Sequence, residues 1–235
     1  MKYTYYLKKF WRLYFLAAVI CLAATIAAER TVTTVAESMP IPRSHVLVID
    51  AGHGGVDGGA TSCSGVLESH INLQIAMRLN DLCRLLGYET KMIRTSDISV
   101  YTEGNTIAAK KVSDLKRRVE IVDQTKNAIL ISIHQNIFAD SRYSGAQVFY
   151  ANTPGSRELA DVLQSALISA FHPESRRNSK VADHIYLMQN IHRIGVLVEC
   201  GFLSNPEEEA NLRNPTYQKK LCCVIASGLS NYINP

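Results

Sequence analysis

Short apolar runs alternate along the chain with stretches whose apolar residues recur at helical spacing, and that alternation predicts an α/β domain. Val46 to Asp50 is an apolar run that breaks into a glycine-rich loop, the pattern of a buried strand. After the loop, Leu67, Ile71, Ile75, Leu79, Leu82 and Leu86 keep helical spacing until Gly87, which predicts a helix ended by a glycine cap. Tyr88 to Arg94 reads as a second strand, so this region is a β–loop–α–β unit of a parallel sheet. Asp97 to Val112 has no clear period and is expected to run over the surface, with Ser113 capping a helix that turns Leu115, Val119 and Val122 to one face. Further strands are expected at Ala128–Ile133, Gly145–Ala151, His184–Met188 and Gly195–Val198, with a polar loop at Arg176–Lys180. An amphipathic helix over Pro154–Phe171, a short acidic helix beginning at Asn205-Pro206, and a last helix burying Leu221, Val224, Ile225, Leu229 and Tyr232 complete the pattern. One α/β domain over residues 45–235 accounts for all of it.

The first 28 residues differ. Lys2, Lys8, Lys9 and Arg12 precede Leu13 to Ala28, 16 residues without a charge. A basic head before an apolar core is the pattern of an export signal or a short membrane anchor, although a comfortable span takes roughly 20 residues. Residues 29–44, polar and rich in proline near their end, read as a linker. This head also explains the net charge of +4. Four of the 25 basic residues lie in it and no acidic one does, so from residue 29 onward 21 basic residues meet 21 acidic ones. The domain is electrically neutral, which removes the case for nucleic-acid binding.

Of the six cysteines, Cys21 lies in the apolar head and the other five show no C-x-x-C spacing. No disulfide framework is expected; Cys83 and Cys222 fall in apolar helical patterns and read as small buried hydrophobes.

Four residues stand out by position: His53 in the glycine loop, Glu68 in the first turn of the first helix, and His134 and Glu199 at strand ends. Open α/β sheets carry their chemistry just beyond the carboxyl ends of strands, where His53 and His134 fall. Two imidazoles and one carboxylate hold zinc with a fourth position open, and a second carboxylate can then serve as general base. Spacing alone leaves open which glutamate has which task. Glu199 closes an apolar run, where an unpaired carboxylate is costly, so a functional role is favoured for it. His70, two positions after Glu68, points some 200° away on a helix and is expected at the surface.

IDAGHGGVDGGA, the glutamate of GVLES, LISIHQN and VLVECGFLSNPEE resemble the four signature blocks of the zinc-dependent N-acetylmuramoyl-L-alanine amidases (Amidase_3). The resemblance runs from about residue 45 to 235 and implies zinc on His53, Glu68 and His134 with Glu199 as the catalytic glutamate. It also implies a mostly parallel mixed sheet of about six strands flanked by helices. Ala51 and Gln135 replace a proline and an alanine common in the family, and neither change removes a proposed ligand.

Within the family, the segment leading into KKVSDLKRRV, the SIHQN variant and the N-terminal apolar segment resemble spore-cortex amidases of the CwlD type. That likeness implies hydrolysis of the amide between N-acetylmuramic acid and L-alanine in peptidoglycan, export into the forespore envelope, and stem-peptide removal before muramic δ-lactam is made. Without a separate wall-binding domain, targeting is expected to use the membrane segment or an accessory protein. Two other readings remain at this stage: an exported zinc peptidase acting on the stem peptide, and a non-catalytic module that binds peptidoglycan. Arg118, Asn136, Arg176 and Asn205 lie near the four blocks and are expected to touch substrate or to order loops.

Overall fold

A computed structural model of the protein describes residues 45–234. The apolar head and the linker expected over residues 1–44 lie outside the described residues. Among the described residues the strands are β1 (Val46–Ala51), β2 (Glu89–Met92), β3 (Ala128–Asn136), β4 (Gln147–Tyr150), β5 (Lys180–Val181) and β6 (Ile194–Phe202). The helices are α1 (Glu68–Leu85), α2 (Ile107–Gln124), α3 (Ser156–Phe171), α4 (Tyr186–Asn190), α5 (Pro206–Arg213) and α6 (Pro215–Ile233). The strands form one sheet in the order β2-β1-β3-β6-β4-β5, parallel throughout except for the antiparallel pair β4–β6.

The central strands β1, β3 and β6 are nearly continuous runs of buried aliphatic residues because both sheet faces are covered. On one face Val48, Leu130 and Leu197 pack with Val122 of α2 and with Leu187 and Met188 of α4. On the other side of the sheet α6 contacts both α1 and α3, while α1 contacts β1, β2 and β3 and α3 contacts β4 and β6. The chain leaves β1 for β2 on one side and later returns to place β3 on the other. The carboxyl ends of β1 and β3 therefore open at a topological switch point, the usual crevice for ligands in such sheets.

Most expected elements stand where periodicity put them, with four differences. Helix α2 begins six residues before Ser113, because Thr106 caps it by accepting from the Ala109 N–H at 3.1 Å. Ser113 lies buried within that helix, and its hydroxyl accepts from the Thr102 and Glu103 amides. Residues expected to form a strand at His184–Met188 instead enter α4: Leu187 and Met188 are adjacent in sequence and both buried, as one helical face allows and strand alternation does not. Lys180, expected to end the polar loop, instead joins Val181 as the edge strand β5, which pairs with β4. Strand β6 continues three residues past Glu199, and β3 three past Ile133, so His134 and Glu199 sit in register within paired strands rather than in loops.

Candidate metal centre

Chain direction brings the four selected residues to one end of the sheet. His53 lies two residues beyond β1, in the left-handed region at φ 60°, where side chains other than glycine are uncommon and cluster at functional sites. Two glycines make room around it. A Cβ on Gly52 would stand 2.1 Å from His134 Nε2, and one on Gly59 would stand 2.6 Å from Glu68 Oε2 and 2.7 Å from His53 Cδ2. Glu68 opens α1, where the helix macrodipole favours a carboxylate. His134 precedes an irregularity in the β3–β6 ladder, a device that re-aims strand residues near active sites.

The Glu68 carboxylate faces both histidines: Oε2 is 3.2 Å from His53 Nε2, and Oε1 is 3.0 Å from His134 Nδ1. It also accepts from the Ala60 N–H at 3.0 Å, from Asn72 Nδ2 at 3.1 Å and from the Gln135 N–H at 3.1 Å. Burial disfavours its charge, but the two imidazoles hold its carboxyl far below the usual glutamate range. Each of His53, Glu68 and His134 offers one ligand atom within 4.8 Å of the others. Two imidazole nitrogens and one carboxylate oxygen converging from separate elements form a donor set suited to zinc.

Asp57 orients the first histidine. Its Oδ2 stands 2.9 Å from His53 Nδ1 and its Oδ1 2.9 Å from Lys111 Nζ, so Nε2 is the His53 nitrogen left to face Glu68. Burial would lower the His53 pKa, but Asp57 and Glu68 push it up to about 9.

Two buried arginines hold the loop from beneath. Arg94 donates to the Ala51, Gly52, Ser69 and Ser96 carbonyls. Arg118 donates to the Ala51 and His53 carbonyls and pairs with Asp50 and Asp114. Asp50 also accepts from Ser132 Oγ; burial raises its pKa, and Arg118 and Ser132 return it below the ordinary carboxylate value. Of the residues expected to order loops, Arg118 does so here and Asn205 caps α5. Asn136 accepts through its carbonyl from the Leu203 N–H, and Arg176 is exposed. His70 is exposed and paired with Asp97, as its helical angle implied. Asp57, Asn72 and Arg94 were not singled out from sequence.

Arg118→Met leaves Asp50 buried without its cation and is expected to cost about 3–5 kcal/mol in denaturant unfolding. Arg117→Met, which breaks an exposed pair with Glu120, is expected to cost less than about 1 kcal/mol. Equal losses would contradict the role given to Arg118.

Glu199 lies beside His134 in register. Its Oε2 is buried without a hydrogen-bond partner among the described residues, and burial reinforced by the charge of Glu68 pushes its carboxyl up to about 7 against the pull of both histidines. Next to the histidines a cleft of about 190 Å³ is lined by Asp57, Lys111, Leu115, Ile185, Leu187 and Leu197 among others. All five described cysteines are free thiols, with Cys83 and Cys222 buried as expected.

The family model for N-acetylmuramoyl-L-alanine amidases (Amidase_3) matches residues 47–231. The chain is 35% identical over 197 residues to the germination-specific N-acetylmuramoyl-L-alanine amidase of Bacillus subtilis, covering 83% of this chain and 82% of that protein. Among solved structures it is similar to the CwlD amidase of Clostridioides difficile, determined in complex with the GerS lipoprotein: TM-score 0.76, 37% identity, covering 80% of this chain and 97% of that one. It is also similar to an N-acetylmuramoyl-L-alanine amidase from Clostridium difficile 630, with TM-score 0.70, 30% identity and coverage of 82% and 98%. With an α/β domain of this order and a family match spanning nearly all of it, the chain belongs to the Amidase_3 family of N-acetylmuramoyl-L-alanine amidases, enzymes that hydrolyse peptidoglycan.

Proposed function

We propose that this amidase is zinc-dependent, with His53, Glu68 and His134 as the metal ligands and Glu199 as the catalytic base. The observation that carries the proposal is the pairing of two features: three convergent donor atoms, and, in register with His134, a carboxylate oxygen without a partner among the described residues. Zinc bound there would polarise the scissile carbonyl and bring the pKa of a water from 15.7 to about 7. Glu199 takes the proton of the attacking water and returns it to the amide nitrogen, so that L-alanine leaves as an amine and the lactyl group of muramic acid as a carboxylate. Asp57 keeps the His53 ring turned, while Arg94 and Arg118 fix the loop that carries it. Lys111 and the apolar wall of the cleft face the substrate. Elemental analysis is expected to find one zinc per chain; full turnover by metal-free protein would refute the proposal.

The pH profile follows from Glu199. Its pKa is raised, so the base form is lost as pH falls through about 7, and the positive charge of bound zinc moves that limb lower. The expected kcat/KM falls about tenfold per pH unit below the limb. A profile flat to well below the ordinary glutamate value of 4.5 would remove Glu199 as the base.

The likeness to a germination-specific relative and to an amidase solved with a lipoprotein supports a finer reading. We place the activity in spore-cortex maturation, ahead of muramic δ-lactam formation, in an exported and membrane-associated or cell-wall setting, with an accessory or targeting protein. Residues 1–28 would supply the signal or anchor and 29–44 the linker; among the described residues no helix is long and apolar enough to cross a membrane. Spores lacking this chain are expected to have a cortex without muramic δ-lactam, and a normal δ-lactam content would contradict the assignment.

A further inference from the structure

The sequence presents α5 as a short acidic helix, yet two of its three glutamates are buried, Glu208 at 7% and Glu209 at 3% exposure. Burying carboxylates is costly unless each finds partners, and these two find them in different parts of the site. Glu208 Oε2 accepts from the Phe202 N–H at 2.8 Å, three residues beyond Glu199. Its Oε1 accepts from the Gly145 N–H at 2.7 Å and lies 3.2 Å from His172 Nε2, which ties in the start of the segment entering β4.

Glu209 reaches the other way. Its Oε1 accepts from Ser62 Oγ at 3.0 Å and from Ser64 Oγ at 2.5 Å. Ser62 Oγ in turn accepts from the Val66 N–H, and Thr61 bridges Leu67. The base of this turn is Ala60, whose carbonyl receives the Glu68 N–H at 2.8 Å and whose own N–H donates to Glu68 Oε2. The path from Glu209 to Glu68 thus runs through the hydrogen bonds of Ser62 with Val66 and of Ala60 with Glu68, joined by the short 60–68 turn of the chain itself.

We propose that Glu208 and Glu209 are positioning residues of the metal centre: from one helix they fix the strand end that carries Glu199 and the turn that carries Glu68. This rests on the zinc reading of the site. Neither side chain touches substrate or metal in this account; they act through Phe202 and Ser62. The two arms make separable predictions, because Glu209 governs a ligand and Glu208 governs the base.

The test uses full-length protein, with zinc Kd from chelator competition, unfolding midpoints, and kcat and KM at saturating zinc. Glu209→Gln and Ser62→Ala should each weaken zinc binding about 10–100-fold, the range for residues that support ligands, and excess zinc should restore most of kcat. Their double variant should be no weaker than the poorer single one, since both break the same connection. Glu208→Gln should leave zinc Kd within about twofold and lower kcat about tenfold with KM little changed, as for a displaced catalytic group. Leu229→Ala in the core of α6 supplies the control for lost stability alone. If midpoints fall while zinc Kd and kcat at saturation stay at wild-type values, α5 is a stabilising strut and the inference is overturned. If Glu209→Gln does not fold, Ser62→Ala decides the question. Wild-type protein that took up no zinc would overturn the metal reading itself, and this inference with it.

Discussion

Glu199→Gln is expected to abolish turnover while zinc stays bound. The substitution keeps the shape of the side chain and removes its negative charge, and with it the ability to take a proton. The buried Oε2 has no other hydrogen bond among the described residues to lose, so the change leaves no structural gap. General-base catalysis is worth on the order of 10²–10⁴ in rate, and kcat should fall by at least that much. Because Glu199 is outside the three-donor set, zinc content and affinity should match wild type. The measurement is kcat on a muramoyl-peptide beside zinc counts on the same sample. A variant at wild-type rate would remove Glu199 from the chemistry; one without zinc would exchange the roles of the two glutamates.

The second large effect is expected at Glu68. Glu68→Gln should weaken zinc at or beyond the 100-fold upper end seen for residues that merely support ligands. Both oxygens of this carboxylate are engaged, one facing each histidine, and both accept from protein donors: Ala60, Asn72 and Gln135. A carboxamide must turn an NH₂ group toward one set of those donors, so it loses charge and also meets a donor where it needs an acceptor. Turnover should disappear at stoichiometric zinc and return in part with excess. Unchanged affinity in chelator competition would show that the metal site lies elsewhere.

Much of this arrangement was legible because it follows from periodicity and position. Apolar runs beginning at Val46, Ala128 and Gly195 marked the central strands, and their carboxyl ends located His53, His134 and Glu199. Resemblance to the amidase blocks, not spacing, divided the roles of Glu68 and Glu199. Other parts were hidden for physical reasons. Thr106 starts α2 before the helix has an apolar face, since Ile107 and Val112 point to solvent and give no period. Leu187 and Met188 are too few to distinguish one helical turn from a strand. Arg94 and the Glu208–Glu209 pair are long-range partners: Arg94 meets carbonyls over 40 residues away, and Glu209 meets Ser62 across 147. Local sequence records only that these side chains are charged, and such residues are usually solvated.

The most direct test is digestion of purified peptidoglycan by the metal-free protein, with and without one equivalent of added zinc, read by mass spectrometry. The account predicts zinc-dependent release of intact stem peptides that begin with a free L-alanine amine, leaving muramic acid with a free lactyl carboxylate. Equal cleavage without zinc, or new termini inside the stem peptide, would contradict it.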